Sequence, residues 1–163
     1  GFASMQEWPI YDENRIDKRA EAVAMLVEST RKDIAEVLRL TKIDKPDKIT
    51  LFIAEKWKYD FMEELKGEMK GTRNVNELIK ALISTDLKIY SLEIVKLVPK
   101  LLNDETKIPQ LILSQETEFR ALKDASKNYE NEFKCKVEVM IAENANEPKA
   151  KQSLPGKIAI LVV

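Results

Sequence analysis

The chain has 163 residues, of which 44% are apolar and 34% are charged, with 27 basic and 28 acidic side chains. Its apolar residues fall in periodic runs, and no run approaches the roughly 18 residues that a bilayer span requires, which excludes a disordered chain and a membrane-spanning one. There is no histidine and one cysteine, Cys135. This excludes histidine-based catalysis, an internal disulfide and a cysteine-rich zinc site. We therefore expect a cytoplasmic globular protein with no membrane partner and no catalytic machinery of its own.

The first 45 residues predict an exit segment and a long linking helix. Residues 1–11 are aromatic and apolar around Trp8 and Pro9, and we expect them to form an extended segment, with Asp12 or Asn14 capping the helix that follows. From residue 16, apolar or small side chains recur every three or four positions, which is typical of one helix face. These residues are Ile16, Ala20, Val23, Val27, Thr30, Ile34, Val37 and Thr41. This stripe predicts a partner surface, either in a larger protein or in a dimer of the isolated chain.

The remaining residues predict helices and strands in alternation. Residues 49–54 are apolar at nearly every position and predict a strand that is buried on both faces. Residues 136–141 alternate polar and apolar side chains, which indicates a strand with one wet face. Residues 157–163 are mostly apolar and predict a docked final strand. Helix crossovers between the strands favour parallel pairing.

Several helices are expected between these strands. Asn74 with Glu77 resembles a capping box, and Ser114 is placed to cap a helix that reaches about residue 133. Pro99 lies within a helix predicted over residues 87–102, so we expect a kink there or a break into two short helices. The predicted fold is α/β (α+β), with a long N-terminal helix followed by a small mixed sheet of about three strands covered by several helices.

Few residues suggest chemistry. The carboxylate pairs lie in polar contexts, so we expect them to be solvated. They are Glu63 with Glu64, Asp104 with Glu105, and Glu116 with Glu118. Trp57 and Phe61 lie among lysines, but their helical spacing favours packing in the core over stacking on bases. Residues 134–163 contain five lysines and three glutamates. This mild basic excess fits either a solvated loop or a phosphate contact.

Four sequence strings together resemble archaeal and eukaryotic cytosolic leucyl-tRNA synthetases. Residues 1–9, GFASMQEWP, resemble the exit from that family's anticodon-binding helical domain. Residues 49–58, ITLFIAEKWK, resemble the strand and helix that open its C-terminal domain. Residues 147–151, EPKAK, and 154–160, LPGKIAI, resemble its closing segment. The resemblance implies that residues 1–45 are the exit segment and linking helix, and that residues 46–163 are a C-terminal α/β tRNA-binding domain.

The resemblance also implies a role for this piece. The parent enzyme uses ATP and Mg²⁺ to attach leucine to its tRNA, but neither signature motif of the catalytic domain occurs here, so no cofactor is expected in this chain. The implied partners are the long variable arm of leucine tRNA, and the remainder of the synthetase through Trp8 and the helix of residues 16–41. The implied tRNA-binding residues are Lys149, Lys151, Lys157, Val162 and Val163.

The end of the chain departs from the family's pattern. Relatives end with an aromatic, an aliphatic and an acidic residue, where this chain has Leu161, Val162 and Val163. A missing acidic side chain removes an acceptor for base edges, whereas contacts through the backbone or a terminal carboxylate would survive. The alternative is therefore a protein-interaction or paralogous module of the same fold that has lost tRNA recognition.

Overall fold

The computed structural model describes the backbone of residues 2–163 and the side chains of residues 18–163. Its α-helices are α1 (Phe2–Thr41), α2 (Lys56–Glu68), α3 (Val75–Ile83), α4 (Ser91–Asn103) and α5 (Gln115–Phe133). Its strands are β1 (Lys48–Ile53), β2 (Lys136–Ile141) and β3 (Ala159–Val162). None of the helices in this described part of the chain is long and apolar enough to cross a membrane.

The three strands form one mixed sheet in the order β2-β1-β3. β1 is parallel to β2, and Ile49 lies opposite Val137. β1 is antiparallel to β3, and Ile49 lies opposite Val162. The predicted small mixed sheet is therefore confirmed, with the strand expected to be buried on both faces at its centre.

The sheet has one fully covered face and one partly open face. On the covered face, Leu51 and Ile160 pack with α5 residues such as Leu122 and Tyr129 and with Ile34 of α1. On the other face, the end nearest Phe52 is covered by Ala142 and Ala150. Because successive side chains alternate between faces, the opposite end of this second face presents Lys48 and Lys136.

A second core joins α2, α3 and α4. Trp57 and Phe61 are buried there with Leu78 of α3 and Ile94 of α4, and the Trp57 ring stacks on Tyr90 with centroids 4.3 Å apart. The preference for core packing over base stacking is thus confirmed for these two aromatics. Two caps are confirmed as well, since Asn74 accepts a hydrogen bond from the Glu77 amide and Ser114 accepts one from the Thr117 amide.

The central part of the α1 stripe is covered by the chain itself. Thr30 and Ile34 of the stripe are buried, as is the neighbouring Leu26, and the Tyr129 hydroxyl donates to the Val27 carbonyl at 2.7 Å. The sequence led us to expect that the whole stripe contacts another protein or a second copy. Its central residues instead pack within the chain and are not available for such a contact. The side chains of Trp8 and Ile16 lie outside the described residues.

Two expectations about prolines were wrong, namely the extended start and a break in the helix at Pro99, whereas a kink at Pro99 stays a prediction. Residues 1–11 were predicted to be extended, yet α1 begins at Phe2 and runs through Pro9, so Asp12 and Asn14 lie inside the helix and do not cap it. Good helix formers before Pro9 favour continuation, because a single proline removes only one backbone donor. α4 likewise runs unbroken through Pro99. Pro99 is exposed, so the carbonyl that loses its donor can be hydrated.

Candidate nucleic-acid interface

The predicted lysines lie on one segment between β2 and β3. Residues 147–158, called the lysine segment here, contain a short 3₁₀-helix, Pro148–Gln152, and a tight turn before β3. In the turn, the backbone groups of Leu154 and Lys157 exchange hydrogen bonds of 2.9 and 2.8 Å. Gly156 has a φ of +78°, a conformation that glycine adopts without a steric penalty. The sequence Leu-Pro-Gly thus builds a turn that fixes where Lys157 leaves the loop.

Two of the three predicted lysines line the same groove. This groove has a volume of about 340 Å³ and lies between α1 and the lysine segment, with Lys149 and Lys157 on one wall and Asp33 and Glu36 on the other. Lys107, which the sequence analysis did not single out, also lines it. Glu36 is already paired with Arg39 at 2.5 Å. The lining therefore has an excess of positive charge that can attract a phosphate group.

Lys151 is exposed and does not line this groove. Its side chain therefore extends from the same short helix into solvent, apart from the other two. The three lysines thus form a rim of charge and not one compact pocket, which suits an extended polyanion better than a small anion.

The two predicted terminal residues lie at the other end of β3. Val162 is half-buried and packs against the covered face of the sheet. Val163 is 64% exposed, and its backbone is held because its amide donates to the Lys48 carbonyl at 3.0 Å and its carbonyl accepts from the Asp47 amide at 2.9 Å. The strand alternation places Val163 beside Lys48 on the partly open face. From Ala159 to Val163 the strand covers roughly 14 Å, at about 3.4 Å per residue, so the two groups of residues are separate contact points.

A buried lysine supports the lysine segment from below. Lys58 of α2 is 3% exposed, and its ammonium donates to the carbonyls of Lys151 and Ser153 at 2.5 and 2.9 Å. Burial lowers the pKa of Lys58, and the carboxylates of Glu55 and Glu93 oppose that shift. Ser153 is fully buried, and its hydroxyl donates to the Phe52 carbonyl at 2.6 Å.

Glu118 is a second support, and here the expectation of a solvated carboxylate was wrong. Its side chain is 1% exposed, accepts a hydrogen bond from the Tyr59 hydroxyl, and accepts another from the Gly156 amide at 2.8 Å. Burial raises the pKa of Glu118 to about 7, although both hydrogen bonds oppose the rise. Burial also raises the pKa of Tyr59.

A signal for both buried groups was present in the sequence. Glu118 precedes Leu122 by four residues and so continues the apolar stripe of α5. Lys58 precedes Met62 by four residues and lies on the buried face of α2 in the same way. A charged residue on an apolar helix stripe is a candidate for burial with a specific partner.

The described side chains offer little for metal or thiol chemistry. Within residues 18–163, no three acidic or cysteine side chains come together in a way that could hold a metal ion. The Mg²⁺ that the family resemblance implies for the parent enzyme therefore has no fitting ligand set among these residues. Cys135 is partly buried against the core next to β2, and burial raises the pKa of its thiol.

Comparison with known proteins gives one consistent result. No protein-family model matches the chain. The leucine–tRNA ligase of Methanococcoides burtonii is 31% identical over 96% of this chain, and that of Methanothrix thermoacetophila is 31% identical over 99%. The corresponding enzyme of Pyrococcus horikoshii is 26% identical over 99% of the chain.

These relatives are much longer than the chain, which spans only 16–17% of their length. The match nevertheless covers almost every residue of the chain, including the lysine segment and β3. The resemblance to archaeal-type leucyl-tRNA synthetases is thereby confirmed. By sequence, the chain is therefore similar over nearly its whole length to a segment that makes up about one-sixth of archaeal leucine–tRNA ligases.

Proposed function

We propose that the chain is the tRNA-binding C-terminal segment of a leucyl-tRNA synthetase and that it grips the long variable arm of leucine tRNA. The observation that carries this proposal is the match of nearly the whole chain to archaeal leucine–tRNA ligases. The segment itself is non-catalytic. Leucine activation with ATP and Mg²⁺, and the attachment of leucine to tRNA, take place in the parts of the parent enzyme outside this chain.

The lysine segment supplies the electrostatic part of binding. Lys149 and Lys157 face the groove beside α1, where Lys107 adds a third ammonium group, and Lys151 extends from the rim. Lysine contacts to phosphates position an RNA backbone without reading its sequence, and they weaken as salt rises. A few such contacts support an affinity on the order of micromolar or weaker for the segment alone.

The end of β3 supplies the contact to unpaired nucleotides. Exposed RNA bases are recognised by stacking and by hydrogen bonds to their edges. Val163 offers an exposed apolar side chain whose backbone is fixed to β1, with Lys48 and Lys136 on the same sheet face. Val162 is half-buried and packs against the core. It contributes to RNA binding by holding the end of β3, and therefore Val163, in place.

The charge contribution can be tested with a double variant, K149A/K157A. Its matched control is K80A/K127A, which removes two exposed lysines from α3 and α5 away from the groove. The slope of log affinity for leucine tRNA against log salt concentration should become less negative by about one to two for K149A/K157A, because two phosphate contacts are lost. An equal change in the control would show that only net charge matters and would contradict a local site.

The terminal contact can be tested in the full-length enzyme. Removal of Val162 and Val163 should weaken tRNA binding and leucylation, while leucine-dependent ATP–pyrophosphate exchange stays intact, because exchange does not require tRNA contacts by this segment. The variant V163A, which keeps the backbone bonds to β1, separates loss of the apolar side chain from loss of strand pairing. Unchanged leucylation after the deletion would contradict the proposal for this end.

We also propose that the segment docks on the rest of the synthetase through Trp8 and the outer face of α1. On that face, Met25 and Leu40 are 71% and 65% exposed. In the absence of the rest of the enzyme, the same face is available for dimerisation of the isolated chain. Light scattering tests this: the native chain should dimerise and an M25E/L40E variant should be monomeric. If both are monomeric, this face does not mediate dimerisation.

A protein-interaction module is the second candidate, and one observation favours it. Ile89 in the short 3₁₀-helix before α4, together with Leu92 and Val95 in α4, forms an exposed apolar stripe, with exposed fractions of 79%, 78% and 48%. The tRNA proposal gives this stripe no part in RNA binding. An L92E variant should therefore bind leucine tRNA as the native chain does. If the native chain itself does not bind leucine tRNA, the second candidate is favoured.

A further inference from the structure

Most of the buried polar side chains among the described residues converge on the lysine segment. Five polar or charged residues are buried in the described part of the chain: Thr30, Thr50, Lys58, Glu118 and Ser153. Three of them, Lys58, Glu118 and Ser153, bind backbone groups in the lysine segment or lie within it. A solvated loop on the surface does not need this arrangement, since its polar groups can bind water.

A lysine at position 58 is energetically unfavourable unless its ammonium group has specific partners. Burial of an ammonium group is unfavourable unless the group is paired and hydrogen-bonded, and an apolar side chain of similar size often serves stability as well or better. The nearest carboxylate, that of Glu55, is 3.8 Å from the Lys58 ammonium, beyond hydrogen-bond distance. Its close partners are the carbonyls of Lys151 and Ser153. The ammonium therefore fixes the backbone on both sides of Gln152.

Glu118 fixes the other end of the same segment. One carboxylate oxygen accepts from Tyr59 and the other accepts from the Gly156 amide. Gly156 lies in the turn that orients Lys157, and a Cβ at this position would come within 3.3 Å of the Pro109 Cβ. The turn thus has little freedom to move as long as Glu118 holds it.

We propose that Lys58 and Glu118 are positioning residues for RNA binding, which hold the lysine segment in the conformation that aims Lys149 and Lys157 into their groove. This inference rests on the proposed function, because it assigns the buried pair a role in that same site. Neither side chain touches the RNA. Both act through the backbone of residues 151–156, so that fewer rotational states are lost when the lysines meet phosphates.

The positioning role is first tested without RNA, by hydrogen exchange on the chain. Two variants remove one lysine each from α2: K58M removes the buried one, and K56M removes an exposed one as the matched control. The amides of Ser153, Leu154 and Lys157, all hydrogen-bonded in the structure, should exchange about tenfold faster in K58M, the factor expected for the loss of a charge-assisted hydrogen bond. Amides of β1 should not change. Equal exchange in K58M and K56M would overturn the inference.

Glu118 provides a second pair of variants if K58M does not fold. E118Q keeps an acceptor for the Gly156 amide and a polar partner for Tyr59, whereas E118L keeps the size of the side chain and removes both bonds. Exchange of the Gly156 amide should rise in E118L and return to near the native rate in E118Q. Rates in E118L that match those of the native chain would overturn the role of Glu118.

The link to RNA is tested by the salt dependence of leucine tRNA binding. K58M and E118L should bind several-fold more weakly than the native chain, with a shallower salt dependence, although neither change removes an exposed lysine. Native-like binding by variants whose segment exchanges faster would overturn the positioning role. If the native chain itself does not bind tRNA, the proposed function fails instead, while the exchange experiment still decides whether the two residues hold the segment.

Discussion

Substitution of Glu118 by glutamine should remove a specific pH dependence from the stability of the fold. The carboxyl group is 1% exposed, and burial raises its pKa from the ordinary value of 4.5 to about 7, against the opposing hydrogen bonds from Tyr59 and Gly156. Because folding raises this pKa, its favourable contribution to stability is fully present below about pH 4.5. It is lost as the pH rises through about 7.

The size of this effect follows from the shift. A difference between 4.5 and about 7 corresponds to roughly 3 kcal/mol of unfolding free energy, at about 1.4 kcal/mol per pKa unit. The side chain is almost inaccessible to water, so solvent screening does not reduce this figure in the way that it would for an exposed group. Glutamine does not titrate, so E118Q lacks this contribution at every pH.

Urea unfolding between pH 4.5 and pH 8.5 measures the effect. The unfolding free energy of the native chain minus that of E118Q should fall by roughly 3 kcal/mol across this range. Subtraction removes the titration of the other carboxylates, which are common to both chains. E116Q is the control, because Glu116 is exposed on the same helix and pairs with Arg120 at 2.5 Å. A native-minus-E118Q difference that is constant with pH would contradict a raised pKa for Glu118 in the folded state.

Three further substitutions test other parts of the structure. G156A should lower the unfolding free energy by about 1–2 kcal/mol, because an alanine there must adopt the left-handed conformation and its Cβ approaches Pro109. Thermal unfolding measures this change, and native-like stability would contradict the turn geometry. I34A should cost about 2–5 kcal/mol because Ile34 is fully buried between α1 and the sheet. L40A, at an exposed site on the same helix, should cost less than about 0.5 kcal/mol. Equal losses for I34A and L40A would show that α1 does not dock as described.

Much of the fold follows from local sequence patterns. The alternation of residues 136–141 predicts a strand whose observed bounds are the same, Lys136–Ile141. Asn74 and Ser114 are predicted as caps because their side chains need to reach an amide only three residues ahead. Such features depend on neighbours in the sequence, so a reading of the sequence alone can find them.

The supports of the lysine segment could not be predicted in this way. Lys58 binds carbonyls 93 and 95 residues further along the chain, and Glu118 binds an amide 38 residues away. Whether a charged residue on a helix stripe is buried or solvated depends on such distant partners, which the stripe alone does not identify. The same limit applies to the groove, because Lys107 joins Lys149 and Lys157 only through the folded arrangement of three separate segments.

If this chain recognises the long variable arm of leucine tRNA, as we propose, its affinity for the tRNA should depend on that arm. The affinity of the chain for leucine tRNA should be compared, at several salt concentrations, with its affinity for the same tRNA whose long variable arm has been replaced by a short one. The two RNAs share nearly all their other phosphates, so non-specific attraction to lysines is similar for both. We expect clearly tighter binding to the tRNA with the long arm at every salt concentration. Equal binding to both RNAs would contradict the proposal.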